Sequence, residues 1–451
     1  MSATQLAVLT TPVHPARRPD DDDARTRPSL PSPAAPPPAP PPPRQHKNGA
    51  LVVAAFAITF VAVGMPNSFG IFQDYYASTL FPDTPPAQII LVGSLASSLY
   101  MILGAPAGRF ADRFGYDVAV LVGAVLVVAG LFAASVCTRF YQFLLAQGVT
   151  FGLGAAFVYY PAVSVSRRLF ARRHGVANAV VVSGGALGGC VLPYATRVLL
   201  RRHGLPATFR TLGCLAAALL GCAWAAFCWL DTPVVRPRGR PTARLLDLAL
   251  LRDRRFLVLL AATSVAMTGF LPRYFLITPS AVAQGVDAAY AAWLLGLMNG
   301  LSIAGRLGIG AFADRYGTLT GLVASFLLCG AGHLLFWLPG VLRTGHDAVA
   351  LLTVFVVFVG LLGSGFVSLI PVVVSDLFGS DNLASKVGLF NSIVGVGVLA
   401  GPSVANAIVA GRSHSGHNGH GGHDDWSMAV VFSGLAMLVG GLLLTRTFRY
   451  L

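Results

Sequence analysis

The feature that most restricts this chain is a set of long stretches without a single charged side chain. "ALVVAAFAITFVAVGM" from Ala50 and "VAVLVGAVLVVAGLFAASVC" from Val118 are two of them. Each approaches the ~20 residues that a helix needs to cross a hydrocarbon core of about 30 Å. In lipid the backbone must satisfy its own N–H and C=O groups, so such runs fold as helices. Charged residues make up 11% of the chain, where soluble domains average about 25%. The lipid bilayer is therefore the first partner of this protein, and a water-soluble globule is excluded.

Twelve spans are predicted, at about 50–72, 87–107, 118–137, 140–165, 175–200, 209–230, 256–278, 287–309, 318–338, 347–372, 386–410 and 427–446. The fold class is all-α integral membrane. Residues 48–230 and 256–446 form two six-helix bundles, joined by a basic linker at 231–255 that holds "RPRGRPTARLLDLALLRDRR". The later part of this linker reads equally as a short interfacial helix or a charged loop. Residues 1–47, with Asp20–Asp23 and "PSPAAPPPAPPPP", read as a disordered Pro-rich tail, and 447–451 as a short C-terminus.

Lys and Arg set the orientation. The side that carries the N-terminus holds 24 of the 32 basic residues, the other side 8. Both termini are expected in the cytoplasm, with the protein multi-pass in the plasma membrane. The net charge of +14 then reflects cytoplasmic loops, not a nucleic-acid partner. Arg197, Arg201, Arg202 and Arg210 run against the trend and read as a local positive field or a headgroup-facing loop. The six cysteines all lie in apolar segments and have neither disulfide nor metal-ligand spacing.

Two charged motifs interrupt the apolar pattern: "GRFADRFG" at Gly108–Gly115 and "GAFADRYG" at Gly310–Gly317, offset by 202 residues. Each falls between the second and third spans of its own half. A parallel repeat about an axis along the membrane normal follows. Gly108 and Gly310 allow close helix approach, while Gly115 and Gly317 permit tight turns. Asp112 and Asp314 can sit at helix N-termini or pair with basic residues across the halves. With Arg113 and Arg315 they are expected to form a cytoplasmic gate, broken and remade as the halves rock.

These motifs resemble those of the major facilitator superfamily, and more narrowly its fungal monocarboxylate-porter-like branch. The resemblance covers about residues 48–446. It also rests on "GMPNSFGIFQDYY", "RRHGVANAVVVSGGALGGCVLP", "LLDLALLRDRRF" and "GLMNGLSIAGRLGIGAFADRYG". It implies the major facilitator fold, two pseudo-symmetric six-helix bundles with a cavity at their interface. It further implies secondary active or facilitative transport of a small organic solute, an anion of monocarboxylate type, by rocker-switch alternating access. No cofactor and no obligate protein partner are implied. An Arg at the position of Arg306 binds the substrate carboxylate in that branch, and the guanidinium fork suits the task. The alternative is that Arg306 snorkels to the surface or braces the loop to Asp314. Proton-coupled members carry a Lys where this chain has Asn67 and an Asp where it has Ser302, so proton symport does not carry over.

Other polar residues are few. Asn67, Asn299 and Tyr159, with Tyr160, are candidates for the cavity wall or for plain interhelical hydrogen bonds. His333 is a candidate for proton coupling or a packing residue. Arg273, beside Tyr274, reads as an interface anchor or an outer-vestibule residue. "SGGALGG" at Ser183–Gly189 lacks the Lys and strand of a phosphate loop and reads as a helix-packing segment. His414, His417, His420 and His423 could hold Zn²⁺ or Cu²⁺, although Gly and Ser between them make ordering costly. No enzymatic constellation is present. Export of a fungal secondary metabolite is the second transport reading, and a non-transporting sensor the reading from another class.

Overall fold

The uncharged runs are helices. The computed structural model describes residues 45–169, 174–229, 248–413 and 424–445, and these contain helices and turns but no strand. The tail to residue 44, linker residues 230–247, the histidine loop 414–423, and residues 170–173 and 446–451 lie outside the described residues.

Among the described residues nine helices are long and apolar enough to cross a membrane, ten with the pair Leu91–Ile102 and Gly104–Phe114, bent by 49°. The longest, His174–Trp229, is two helices meeting at Gly204, whose φ of 74° breaks the helical backbone. Leu383–Ser413 supplies the last rod. In chain order these are α1 (Gly49–Leu80), α2 (Pro86–Ile102 with Gly104–Phe114) and α3 (Tyr116–Ala134). Next come α4 (Phe140–Ser166) and α5 and α6, the parts of His174–Trp229 before and after Gly204. The second half has α7 (Arg254–Ala283), α8 (Ala289–Tyr316), α9 (Thr318–Val341) and α10 (Gly345–Phe378). It ends with α11 (Leu383–Ser413) and α12 (Asp424–Thr445). Of the linker's later part, Leu248–Arg252 forms a 3₁₀ turn. Asp253 then caps α7 by accepting from the Arg255 N–H at 2.8 Å.

Lipid tails are as apolar as a Leu side chain, so these helices associate through close packing, and small residues set the contacts. The "SGGALGG" segment behaves this way. A Cβ on Gly188 would lie 2.5 Å from the Phe60 carbonyl, and one on Gly64 would lie 2.6 Å from Gly188 Cα. The Thr59 hydroxyl closes the same α1–α5 seam on the Val181 carbonyl. The second half repeats the arrangement. Gly401 of α11 abuts Thr268 of α7, as Gly188 of α5 abuts Gly64 of α1. Gly360 of α10 meets Met298 and Leu301 of α8, as Gly152 of α4 meets Ala96 of α2. Large apolar side chains such as Val125 and Leu442 remain exposed, where lipid covers them.

Both charged motifs differ from the expected loops. "GRFADRF" and "GAFADRY" are the last turns of α2 and α8, and only the closing glycines leave the helix. Gly115 (φ 106°, ψ 152°) and Gly317 (φ 101°, ψ 140°) adopt nearly the same left-handed-side conformation. Side chains with a Cβ are strained there, which is why the repeat closes on Gly each time. The charged residues do not stop the helix, so α8 runs past the predicted end at 309 to Tyr316.

Candidate functional site

The two halves meet at the end that carries the motifs. The first N–H groups of a helix have no partner within it and attract negative charge. Asp112, near the end of α2, uses this on the other half: its Oδ2 accepts the Ser385 N–H and the Ser385 hydroxyl, each at 2.7 Å, in the first turn of α11. Asp314, near the end of α8, accepts the Gly175 N–H at 2.8 Å and the Val176 N–H at 3.1 Å, in the first turn of α5. Each half thus caps a helix of its counterpart. Gly108 and Gly310 make the approach possible, since a Cβ on Gly108 would collide with the Ala384 carbonyl and one on Gly310 would lie 2.9 Å from the Gly175 carbonyl. Of the two partners open in the sequence, helix termini are used by both aspartates. Arg113 and Arg315 stand outside the latch: both are exposed, with guanidinium carbons 5.3 and 5.4 Å from the Phe114 and Tyr316 rings. His174 adds a cross-half contact, 3.5 Å from the Asp376 carboxylate, which also accepts the Thr318 hydroxyl at 2.7 Å.

Further along the seam lies a junction that the repeat did not announce. Pro106 has no N–H for the Ile102 carbonyl, and α2 breaks at Leu103. Ser392 of α11 fills the break: its hydroxyl lies 2.8 Å from the Ile102 carbonyl and accepts the Ala105 N–H at 3.0 Å. The Pro inside the second predicted span was the signal for an orphan carbonyl. Its partner was not readable.

At the corresponding junction of α5 and α8 stands Arg306. It lies ten residues before Tyr316, about 15 Å along the helix at 1.5 Å per residue. That places it well inside the helix rather than at its end. Its side chain turns to α5 rather than to an exposed end of α8. Bracing to Asp314 is not among its described contacts, and the two residues lie eight positions, about 12 Å, apart along the helix. Arg306 is 7% exposed and donates through Nη1 to the Val182 carbonyl at 2.9 Å. Its Nε has no partner, and none of its described contacts is a carboxylate. Offset by the motif spacing, Arg306 falls opposite Gly104, so the cation marks a place where the two copies differ.

Around Arg306 the expected polar residues are only partly assembled. Tyr159 is 7% exposed, packs edge-on against Tyr100 at 5.6 Å and lies within electrostatic range of Arg306. Tyr160 instead packs beside Gly104, with its hydroxyl 3.3 Å from the Tyr100 carbonyl. Asn299 is half-buried and turns its amide back to the Leu295 carbonyl at 3.2 Å. Ser302 donates to the Asn299 carbonyl at 2.7 Å, a helix-bonded hydroxyl. Asn67 is exposed on the 3₁₀ turn Pro66–Ser68 of α1 and borders Gly189 of α5. Cys190 of α5 reaches the Gly296 carbonyl of α8 at 3.7 Å.

Arg273 corrects its sequence reading. It is no interface anchor but fully buried in the second half, just after the break between Phe270 and Pro272 in α7. Its Nη1 meets Cys329 Sγ at 3.1 Å, its Nη2 the hydroxyls of Tyr274 at 3.3 Å and Ser364 at 3.5 Å, and its Cζ lies 4.0 Å from the Phe270 ring. His333 is fully buried as well, with Nδ1 2.7 Å from the Cys329 carbonyl and its ring between Trp337 and Phe355. A separate apolar cavity in the first half, bordered by Met65, Phe72, Gln147 and Phe209, does not reach Arg306.

The architecture has known counterparts. The Major Facilitator Superfamily model matches residues 48–346 and 285–450. The MFS transporter asaE of Aspergillus flavus is 30% identical over 392 residues, covering 87% of this chain and 84% of that protein. The Fujikurins efflux protein of Gibberella fujikuroi is 27% identical over 452 residues, covering 95% and 91%. Among solved structures, the human organic anion transporter MFSD10 (TETRAN) superposes with a TM-score of 0.67 at 16% identity, covering 89% of this chain and 100% of that one. At that identity the likeness establishes the fold. Twelve rods in two matched halves, the doubled latch and the family match agree: this chain belongs to the major facilitator superfamily and is a membrane transporter of small organic solutes, not an enzyme.

Proposed function

We propose that this transporter exports a carboxylate-bearing secondary metabolite across the plasma membrane, holding the carboxylate at Arg306. The observation that carries the reading is a buried cation between the halves, well inside α8, with no carboxylate among its described contacts. A charge in that position is costly and is kept for a task. The resemblance to the monocarboxylate-porter-like branch supports the anionic cargo. Relatives named as efflux proteins for fujikurins and agnestins support the direction and the metabolite class. The basic side of the chain supports cytoplasmic termini, so the latched end faces the cytoplasm. Transport then requires the Asp112 and Asp314 caps to break as the halves rock, opening Arg306 to the cytoplasm for loading.

Untargeted profiling of cells and medium, separately, for a strain lacking the gene and for its parent tests cargo and direction together. Accumulation of an acidic metabolite in the deletion cells and its loss from the medium is expected. Replacing Arg306 by Gln should reproduce the deletion while surface expression stays normal. Unchanged export by that variant would sink the carboxylate role.

A further inference from the structure

Arg273 reaches a break in α10 at residues 363–365, between its helical parts Gly345–Leu362 and Phe366–Phe378, and the neighbours of Arg306 on α8 pack on the same break. Gly305 lies against the Gly360 and Leu361 carbonyls on one side of it, and a Cβ on Gly365 would collide with Ile309 of α8. On the other side Arg273 reaches Ser364 and Cys329, and Gly363 abuts Cys329 of α9. Tyr274, half-buried on α7, lies beside Arg273 and within electrostatic range of Arg306. A phenol has one proton to donate and lone pairs with which to accept. Tyr274 accepts from Arg273 Nη2 at 3.3 Å, its ring lies 5.0 Å from the Arg273 guanidinium carbon, and no described residue takes its proton. A buried cation behind the oxygen also makes that proton a better donor, as charge-assisted bonds are stronger than neutral ones.

We infer that Tyr274 is a second donor to the cargo anion, opposite Arg306, and that buried Arg273 is the positioning residue that fixes and polarises its hydroxyl. This rests on the anionic cargo proposed above and deepens it. Arg306 supplies charge from α8, and Tyr274 supplies a directed O–H from α7. Arg273 never touches the cargo, because Phe270, Tyr274, Cys329 and Ser364 enclose it. The site therefore discriminates a carboxylate from its neutral amide by two donors rather than one.

The test uses the purified full-length protein in detergent and reads thermal stabilisation in titrations with acetate, benzoate and salicylate, and with acetamide, benzamide and salicylamide. The wild type is expected to respond to at least one carboxylate more strongly than to its amide. Tyr274→Phe should weaken that carboxylate about tenfold and leave the amide unchanged. Arg273→Gln should do the same, and the double variant should lose no more than either single one. Arg273→Lys, which keeps a cation behind the ring, should retain most of the affinity and serves where the Gln variant does not accumulate. Additive losses, or equal losses for carboxylate and amide, would overturn the inference by making Arg273 merely structural. If Arg306→Gln abolishes the response and Tyr274→Phe does not, only this inference fails. If the wild type ignores every carboxylate, the anionic cargo and the inference fall together.

Discussion

Asp112 and Ser385 are joined across the two halves by a double hydrogen bond, the carboxylate oxygen taking both the backbone N–H and the hydroxyl of Ser385 at 2.7 Å. The bond ties the end of α2 to the start of α11. It has a counterpart in Asp314 on the first turn of α5. A closed end held by two matched helix caps gives the transport cycle a discrete contact to break.

Asp112→Ala should loosen the closed end by about 1–2 kcal/mol, the range of a hydrogen bond to a charged group. Asp314→Ala should act alike, and because the caps share no partner the double variant should be nearly additive. Maleimide labelling of a single cysteine at Ala384 measures the open fraction. Identical labelling in parent and variants would argue against the latch.

Bulk at the seam should act in the same direction and more strongly. A Cβ on Gly388 would collide with the Gly104 carbonyl, as one on Gly108 does with Ala384. Gly388→Val is expected to hold the latched end open and stop turnover while the protein still accumulates. Interspin distances across that end should lengthen, and an unchanged distance distribution would refute the steric account.

Ser392→Val removes the hydroxyl that plugs the α2 break and leaves the Ile102 carbonyl and Ala105 N–H facing an apolar group. An unsatisfied buried group costs about 1–3 kcal/mol. Ser392→Thr keeps the hydroxyl and should recover most of the loss. Comparing detergent melting temperatures and transport rates of the two variants checks this, and equal behaviour would remove the role given to the hydroxyl.

Arg306→Lys keeps the charge but loses the planar fork that matches a carboxylate. Cargo affinity should fall about tenfold or more, with surface expression unchanged, and Gln should fall further still. Concentration dependence of export in both variants separates the two. A Lys variant equal to the parent would reduce Arg306 to a bare point charge.

Much of this was legible along the chain. Hydropathy is local, so uncharged runs near the length of a bilayer crossing located the helices without reference to any neighbour. The paired motifs revealed the repeat because Gly115 and Gly317 serve one backbone conformation, and that need is also local. What misled was charge within a helix. "FADR" reads as a loop between apolar runs, yet its residues extend α2 and α8, which moved Arg306 from the predicted end of its span to the inside of a longer helix. Arg273 was misplaced for the same reason. A charge next to Tyr274 looks interfacial until Phe270, Cys329 and Ser364 close around it.

The sequence by itself determined the solvent of this protein, its helices, their duplication and the scarcity of charge that singled out Arg306. Tertiary structure alone decided the partners: Asp112 with Ser385, Asp314 with Gly175, Ser392 with the α2 break, and Arg273 behind Tyr274. The physical reason is separation along the chain. Asp112 and Ser385 are 273 residues apart, and Ser392 and Ile102 are 290. No local period links positions so distant. They meet because two bundles, each packed through its own small residues, present their helix ends to one another.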